Sequence, residues 1–160
     1  MTEEWIIDGY NLLHELQSSK NQFNGKLDRL VFFALLADFA SAMKIQALLV
    51  LDGAGDEAEL AVHRTSCFNI LYSQKINADT WIERCLFEKR MTTRLVVVTS
   101  DRAISRLARG GGARVIRSSE FWVMMKEART ESCQKLLKDQ VQTHGFNRPF
   151  EDRLREKGFL

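Results

Sequence analysis

Short apolar runs that stop at acids, separated by stretches of helical periodicity, are the feature that most narrows the folds open to this chain. Trp5-Ile6-Ile7 stops at Asp8, the run at 47–51 stops at Asp52, and the run at 95–98 is followed by Thr99-Ser100-Asp101. Residues 68–72 and 115–116 read as two further strands. Apolar runs that do not alternate with polar residues suit strands buried on both faces. Strands that alternate with helices build a parallel sheet covered by helices on both sides, so the class is α/β with a central five-stranded sheet. A length of 160 residues suits one such domain, and 45% apolar content supplies an ordinary core.

The helical stretches carry their own punctuation. Asp28 stands where an N-cap is expected for a helix over 29–44, whose apolar residues nearly surround its axis and predict deep packing. The Asp8-Gly9 pair reads as a sharp turn, and residues 53–59, small and acidic, as a surface loop. Trp81, Ile82, Cys85 and Leu86 form one apolar stripe of a helix over 78–90, with Asp79 and Glu83 together on another face. A short helix to about Arg109 ends at the run Gly110-Gly111-Gly112. Ser118-Ser119 offers an N-cap for a long helix to about Gln142, and residues from His144 onward read as irregular or partly helical.

Four aspartates occupy equivalent places in this pattern. Asp8 and Asp52 end the first and second strands, Asp79 opens the helix after the third, and Asp101 follows the fourth. In a parallel α/β sheet these places lie at the carboxyl edge, where ligands bind. Each acid alone has a structural explanation as a turn former or helix cap. Together they repel one another unless a cation is present, and hard oxygen donors suit Mg²⁺ or Mn²⁺.

Charge is unevenly spread. Residues 1–60 carry ten acids against four Lys or Arg, whereas residues 84–117 carry nine Lys or Arg against two acids. Within the basic part, Arg102, Arg106 and Arg109 fall at i, i+4 and i+7 beside Asp101, the spacing of a stripe that tracks phosphates or of a solvated helix face. Several chemistries are disfavoured. Cys67, Cys85 and Cys133 are odd in number and form no C-x-x-C pair, which argues against a disulfide framework or zinc site. His14, His63 and His144 make no ligand pattern, and no P-loop or dinucleotide-binding glycine motif occurs. Asp8-Gly9-Tyr10 lacks the second aspartate of a D-x-D phosphohydrolase nucleophile motif. The start Met1-Thr2-Glu3-Glu4 is unlike a signal peptide and the longest fully apolar run, 30–37, is short, so a cytoplasmic protein without a membrane span is expected.

Taken in order, the segments Asp8-Gly9-Tyr10-Asn11-Leu12-Leu13, Leu51-Asp52-Gly53, Ala78-Asp79-Thr80-Trp81-Ile82-Glu83 and Val97-Val98-Thr99-Ser100-Asp101 resemble the motifs of NYN domains, in particular the YacP-like branch. The resemblance implies a PIN-like three-layer fold with sheet order 3-2-1-4-5 and a metal-dependent ribonuclease, endonucleolytic in mode, acting in RNA processing or decay. It implies Asp8, Asp79 and Asp101 as metal-holding residues, the same three with the nearby Asp52 as catalytic residues, and RNA as partner, ribosome-associated mRNA among the candidates. Asn11, Ser100, Arg102, Arg106 and Arg109 are the expected substrate-binding residues, and Tyr10 is a candidate for base stacking. The sequence departs from the family at Ile76-Asn77, where Thr or Glu often precedes the Ala-Asp pair, and at Ala103, where many members carry another acid. The number of metals, one or two, stays open. The expected nuclease domain is 1–142, with 143–160 a tail packing on it or on a partner. The alternative of another class is an RNA-binding module with a degenerate site.

Overall fold

The computed structural model describes residues 3–18, 29–89 and 94–143. In chain order the elements are β1 (Glu3–Asp8), α1 (Gly9–Ser18), α2 (Arg29–Met43), β2 (Gln46–Leu51), α3 (Glu57–His63), β3 (Phe68–Tyr72), α4 (Ala78–Lys89), β4 (Arg94–Val98), α5 (Arg102–Gly110), β5 (Arg114–Ile116) and α6 (Ser118–Thr143). The strands form one sheet of order β3-β2-β1-β4-β5, and every pairing is parallel. This is the PIN-like arrangement with the first strand central.

Alternation along the strands divides the core in two. On one face Trp5, Ile7, Leu49, Val96 and Val98 pack with Leu12 and Leu16 of α1, the Phe32, Phe33, Leu36 and Phe39 side of α2, and Phe121 and Met125 of α6. On the other, Ile6, Val50, Leu95 and Val97 pack under Ile82, Cys85 and Leu86 of α4 and Ile104 and Ala108 of α5. Asp8 shares the parity of Ile6, and extending the alternation by one residue puts Thr99 with Val97 and Asp52 with Val50. The period of two therefore turns all three toward the face that α4 and α5 cover.

The structure corrects several sequence expectations. No loop follows Asp8, because Gly9 is the first residue of α1. Its backbone is not left-handed. A Cβ there would lie 2.5 Å from Leu51 Cδ2 and 2.9 Å from the Val50 carbonyl, so close approach of helix to strand requires the glycine. Gly53, at φ +89°, is the glycine used for a turn. The expected loop at 53–59 is half helix: Asp56 caps α3 by accepting from the Ala58 N–H at 2.9 Å. The helix α2 is not surrounded, since it lies in an outer layer and leaves Leu30 and Val31 44% and 48% exposed. At α6 both serines lie inside the first turn, and Glu120 reaches back to accept from the Arg117 N–H at 3.4 Å, as in one half of a capping box. The Asp28 cap, Arg90 and the segment from His144 fall outside the described residues. Among those described, no helix is long and apolar enough to cross a membrane.

Candidate active site

Asp8 is the most deeply buried acid of the carboxyl edge, at 2% exposure. Its Oδ1 accepts from the Asn11 backbone N–H at 3.3 Å, and its Oδ2 accepts from the Asn11 side-chain amide and from the Thr99 hydroxyl at 3.0 Å. Burial pushes this carboxyl above the usual carboxylate range, against the pull of the Asn11 and Thr99 hydrogen bonds, and the nearby Asp52 charge adds to the rise. Asn11, expected from sequence to bind substrate, here donates to Asp8. Thr99 was not singled out from sequence. It is fully buried, and its Oγ1 also accepts from the Asp101 backbone N–H at 3.1 Å, so one hydroxyl links the end of β1 to the start of α5. Only the Thr-Ser-Asp sequence beyond β4, read with strand parity, signals it.

The other three acids sit at helix entrances. Asp101 caps α5, its Oδ1 accepting from Ala103 N–H at 2.6 Å and Ile104 N–H at 3.0 Å. Asp52, exposed beyond β2, accepts from the Ala78 N–H at 2.7 Å and so holds the first residue of α4, while Asn77 bonds the Thr80 N–H at 2.8 Å. Asp79 lies in the exposed first turn of α4. Its carboxyl is pushed up by partial burial and then by the charges of Asp8, Asp101, Asp52 and Glu83. With Asp8 and Asp52 at the ends of neighbouring strands, Asp79 in the first turn of α4 and Asp101 capping α5, the four aspartates the sequence singled out lie at one edge of the sheet, with Glu83 one turn along α4.

Three helix N-termini converge on this cluster, and their amides and dipoles offset part of the repulsion. Structural and functional readings of these aspartates therefore coexist. Among the described residues none of the four aspartates forms an ion pair. Oδ2 of Asp52, Oδ2 of Asp101 and both oxygens of Asp79 have no hydrogen-bond partner there either. Carboxylate oxygens without a counter-charge fit a hard divalent cation. Among the described residues no three His, Cys, Asp or Glu side chains stand close enough together to hold a metal ion as they are oriented here. Asp52 and Asp101 each turn one oxygen toward helix amides instead.

The remaining candidates have clear places. Ser100 is exposed, and its Oγ accepts from the Ser118 N–H at 3.3 Å, tying the entry of α6 to the β4–α5 loop. Arg102, Arg106 and Arg109 are all exposed along α5, and among the described residues none is ion-paired. Tyr10 is 64% exposed beside Asp8 and is not packed into the core. Burial of Cys85 pushes its thiol up to about 11, which makes it an inert core residue, and Cys67 is likewise free. His14 is exposed on α1, and His63 packs its ring 5.6 Å from that of Phe33.

Comparison with known proteins follows the same lines. A crystal structure of a mutant of Rae1 (YacP) from Bacillus subtilis is similar with a TM-score of 0.68 and 19% identity, covering 89% of this chain and 86% of that one. A second structure of Rae1 (YacP) from the same organism gives 0.68 and 16%, covering 96% and 90%. At such identities the likeness speaks for the fold. No curated protein sequence matches the chain. The description of the YacP-like NYN domain matches residues 5–158 and so takes in nearly the whole sequence, including the segment beyond 142 for which the motifs offered no counterpart. With its motifs, topology and carboxylate edge all in register, the chain belongs to the YacP-like NYN domain family.

Proposed function

We propose that this protein is a Mg²⁺- or Mn²⁺-dependent endoribonuclease acting in RNA processing or decay. The observation that carries the proposal is the placement of Asp8, Asp52, Asp79 and Asp101 at one sheet edge, with no ion pair to any of them among the described residues. Asp8, Asp79 and Asp101 are the residues that would hold the ion, with Asp52 beside them. When bound, a divalent ion supplies an activated water and neutralises charge on phosphoryl oxygens.

The chain's own groups do the positioning. Thr99 and Asn11 hold the Asp8 carboxylate in one orientation. The amides of α5 hold Asp101 through Oδ1 and leave its Oδ2 for an ion. Arg102, Arg106 and Arg109 carry three positive charges on an α5 without acids, an electrostatic footprint for a phosphate backbone, and Ser100 stands at its entrance. Single- or double-stranded RNA, ribosome-associated or free, meets the same requirement.

The proposal is tested by incubating purified protein with structured and unstructured RNAs in Mn²⁺, Mg²⁺ or EDTA. Cleavage that needs a divalent ion and disappears in Asp8→Asn, Asp79→Asn and Asp101→Asn supports it. Cutting that survives both EDTA and these substitutions removes it. A second reading, an RNA-binding module without catalysis, draws on the use of Asp52 and Asp101 as helix caps. RNA binding without cleavage under any divalent ion selects that reading.

A further inference from the structure

Beside the acidic edge lies a groove of about 890 Å³ between α4 and α5, a size ordinary for a ligand site. Both helices start at the carboxyl edge and pack side by side on the same face of the sheet. On α4 the groove is lined by Thr80, Glu83, Arg84 and Phe87, and on α5 by Ala103, Arg106, Leu107 and Gly110. Each set falls at i, i+3, i+4 and i+7, one continuous helical face. The groove therefore begins within a turn of Asp79 and Asp101 and runs away from them for about 10 Å at 1.5 Å per residue.

Chemistry changes along this path. Glu83 stands at the upper end, where it raises the Asp79 carboxyl with the other acids. Arg84, next to Glu83 on α4, and Arg106, at about the same distance along α5, are both exposed. Leu107, beside Arg106, is 43% exposed, Phe87, nearly one turn further along α4, is 68% exposed, and Glu88 closes the lower rim. Two cations followed by a flat apolar surface, leading from a set of carboxylates, match the repeat of a nucleotide: charged backbone, then base. A purely hydrophobic ligand would not need the two arginines, and α5 carries three arginines and no acid along its length, which favours a polyanion.

We propose that the α4–α5 groove is the path of single-stranded RNA leaving the acidic edge, with Arg84 and Arg106 holding a backbone phosphate and Phe87 and Leu107 receiving a base. The proposal rests on the RNA-directed reading above and adds the route and the strandedness of the substrate. A duplex is too wide for a groove between adjacent helices, so a structured RNA would enter by an unpaired segment. One turn of arginine and one aromatic contact bind any base, so the groove sets strandedness rather than sequence.

The test is fluorescence anisotropy of a short labelled RNA single strand in EDTA, so that cutting does not interfere, combined with photocrosslinking of the same strand carrying thiouridine. Wild type is compared with Arg84→Ala/Arg106→Ala, Phe87→Ala and Arg129→Ala, the last removing a charge from exposed α6 on the opposite face. Gly110→Trp adds an obstruction. A Cβ at Gly110 meets nothing within 4 Å, so a side chain at this groove-lining position is accommodated without moving the backbone. The double arginine variant is expected to flatten the salt dependence of log K by about 0.7 per lost phosphate contact. Phe87→Ala is expected to weaken binding about tenfold, the order for one stacked base. Gly110→Trp should weaken it further, Arg129→Ala should bind as wild type, and crosslinks should map to peptides of α4 and α5. If wild type binds no single-stranded RNA, the RNA-directed reading and the groove proposal fall together. If wild type binds well but the groove variants match it and crosslinks map elsewhere, the groove proposal alone is overturned.

Discussion

A carboxylate as buried as Asp8 must either lose its proton reluctantly or be held by donors, and both are visible here. Asn11 and Thr99 supply the donors, while burial raises the carboxyl. Asp8→Asn keeps the shape and removes the charge, so RNA cleavage should be abolished while the thermal midpoint stays equal or rises. A lowered midpoint with residual cutting would mark Asp8 as structural only. The next residue carries a different constraint. Gly9→Ala places a methyl group against Leu51 and the Val50 carbonyl, in a layer that cannot open without moving β2. It should destabilise by about 1–3 kcal/mol in urea titration, the usual range for overpacking. No change would mean that α1 shifts freely on the sheet. Asp79 gives a pH prediction. Its folded carboxyl is raised above 3.8, so the folded state holds the proton more tightly than the unfolded chain. That contribution is present in full below 3.8 and is lost as pH rises through the raised value. Thermal melts in EDTA should therefore show Asp79→Asn and wild type alike at the acid end, with the variant pulling ahead as pH rises. Mn²⁺ should close the gap. A gap constant with pH would remove repulsion as its cause.

Helix entrances are where the elements and the site meet. The α5 entrance depends on Asp101, which satisfies two backbone amides that would otherwise lack partners. Asparagine caps as well as aspartate, whereas alanine does not. Asp101→Ala is expected to lose about 1 kcal/mol of stability and Asp101→Asn close to none, although both lose cleavage. Equal melting with unequal cleavage would show that the cap carries no weight. Along the same helix, replacing Arg102, Arg106 and Arg109 with Ala should weaken RNA binding across sequences and flatten its salt slope by about 0.7 per phosphate for a single strand. An unchanged slope would leave the stripe as solvated surface. The element level also explains what the sequence concealed. The helix α1 begins in the same residue pair that commonly forms a turn, and α3 is a seven-residue helix inside an acidic segment. Leu12, Leu13 and Leu16 for the first, and Asp56 three residues before Glu59 for the second, were the available signals.

At the scale of the molecule, the parallel sheet sets the electrostatics. With β1 central, the strand ends bring Asp8 and Asp52 beside the entrances of α4 and α5, and the N-terminal ends of α1, α4 and α5 meet the acids there. The basic residues of α5 then lie next to the acidic edge instead of dispersed over the surface. The charge asymmetry along the chain thus becomes two neighbouring surfaces of opposite sign.

Strand identity, their alternation with helices, and the four aspartates were legible in the sequence because each rests on local patterns: unbroken apolar runs, helical stripes and acids at run ends. Those patterns suffice for a parallel sheet and for the edge where the acids must meet. They do not say how each carboxylate is oriented. That Asp52 and Asp101 each turn one oxygen to a helix amide, that Thr99 bridges Asp8 to Asp101, and that Gly9 serves contact rather than a turn depend on residues far apart in the chain. The groove between α4 and α5 has the same origin: its two lining faces are each readable as helical stripes, but only packing on one side of the sheet sets them opposite one another. Backbone amides, neighbouring charges and close approaches are properties of neighbours in space, so tertiary structure alone decides them.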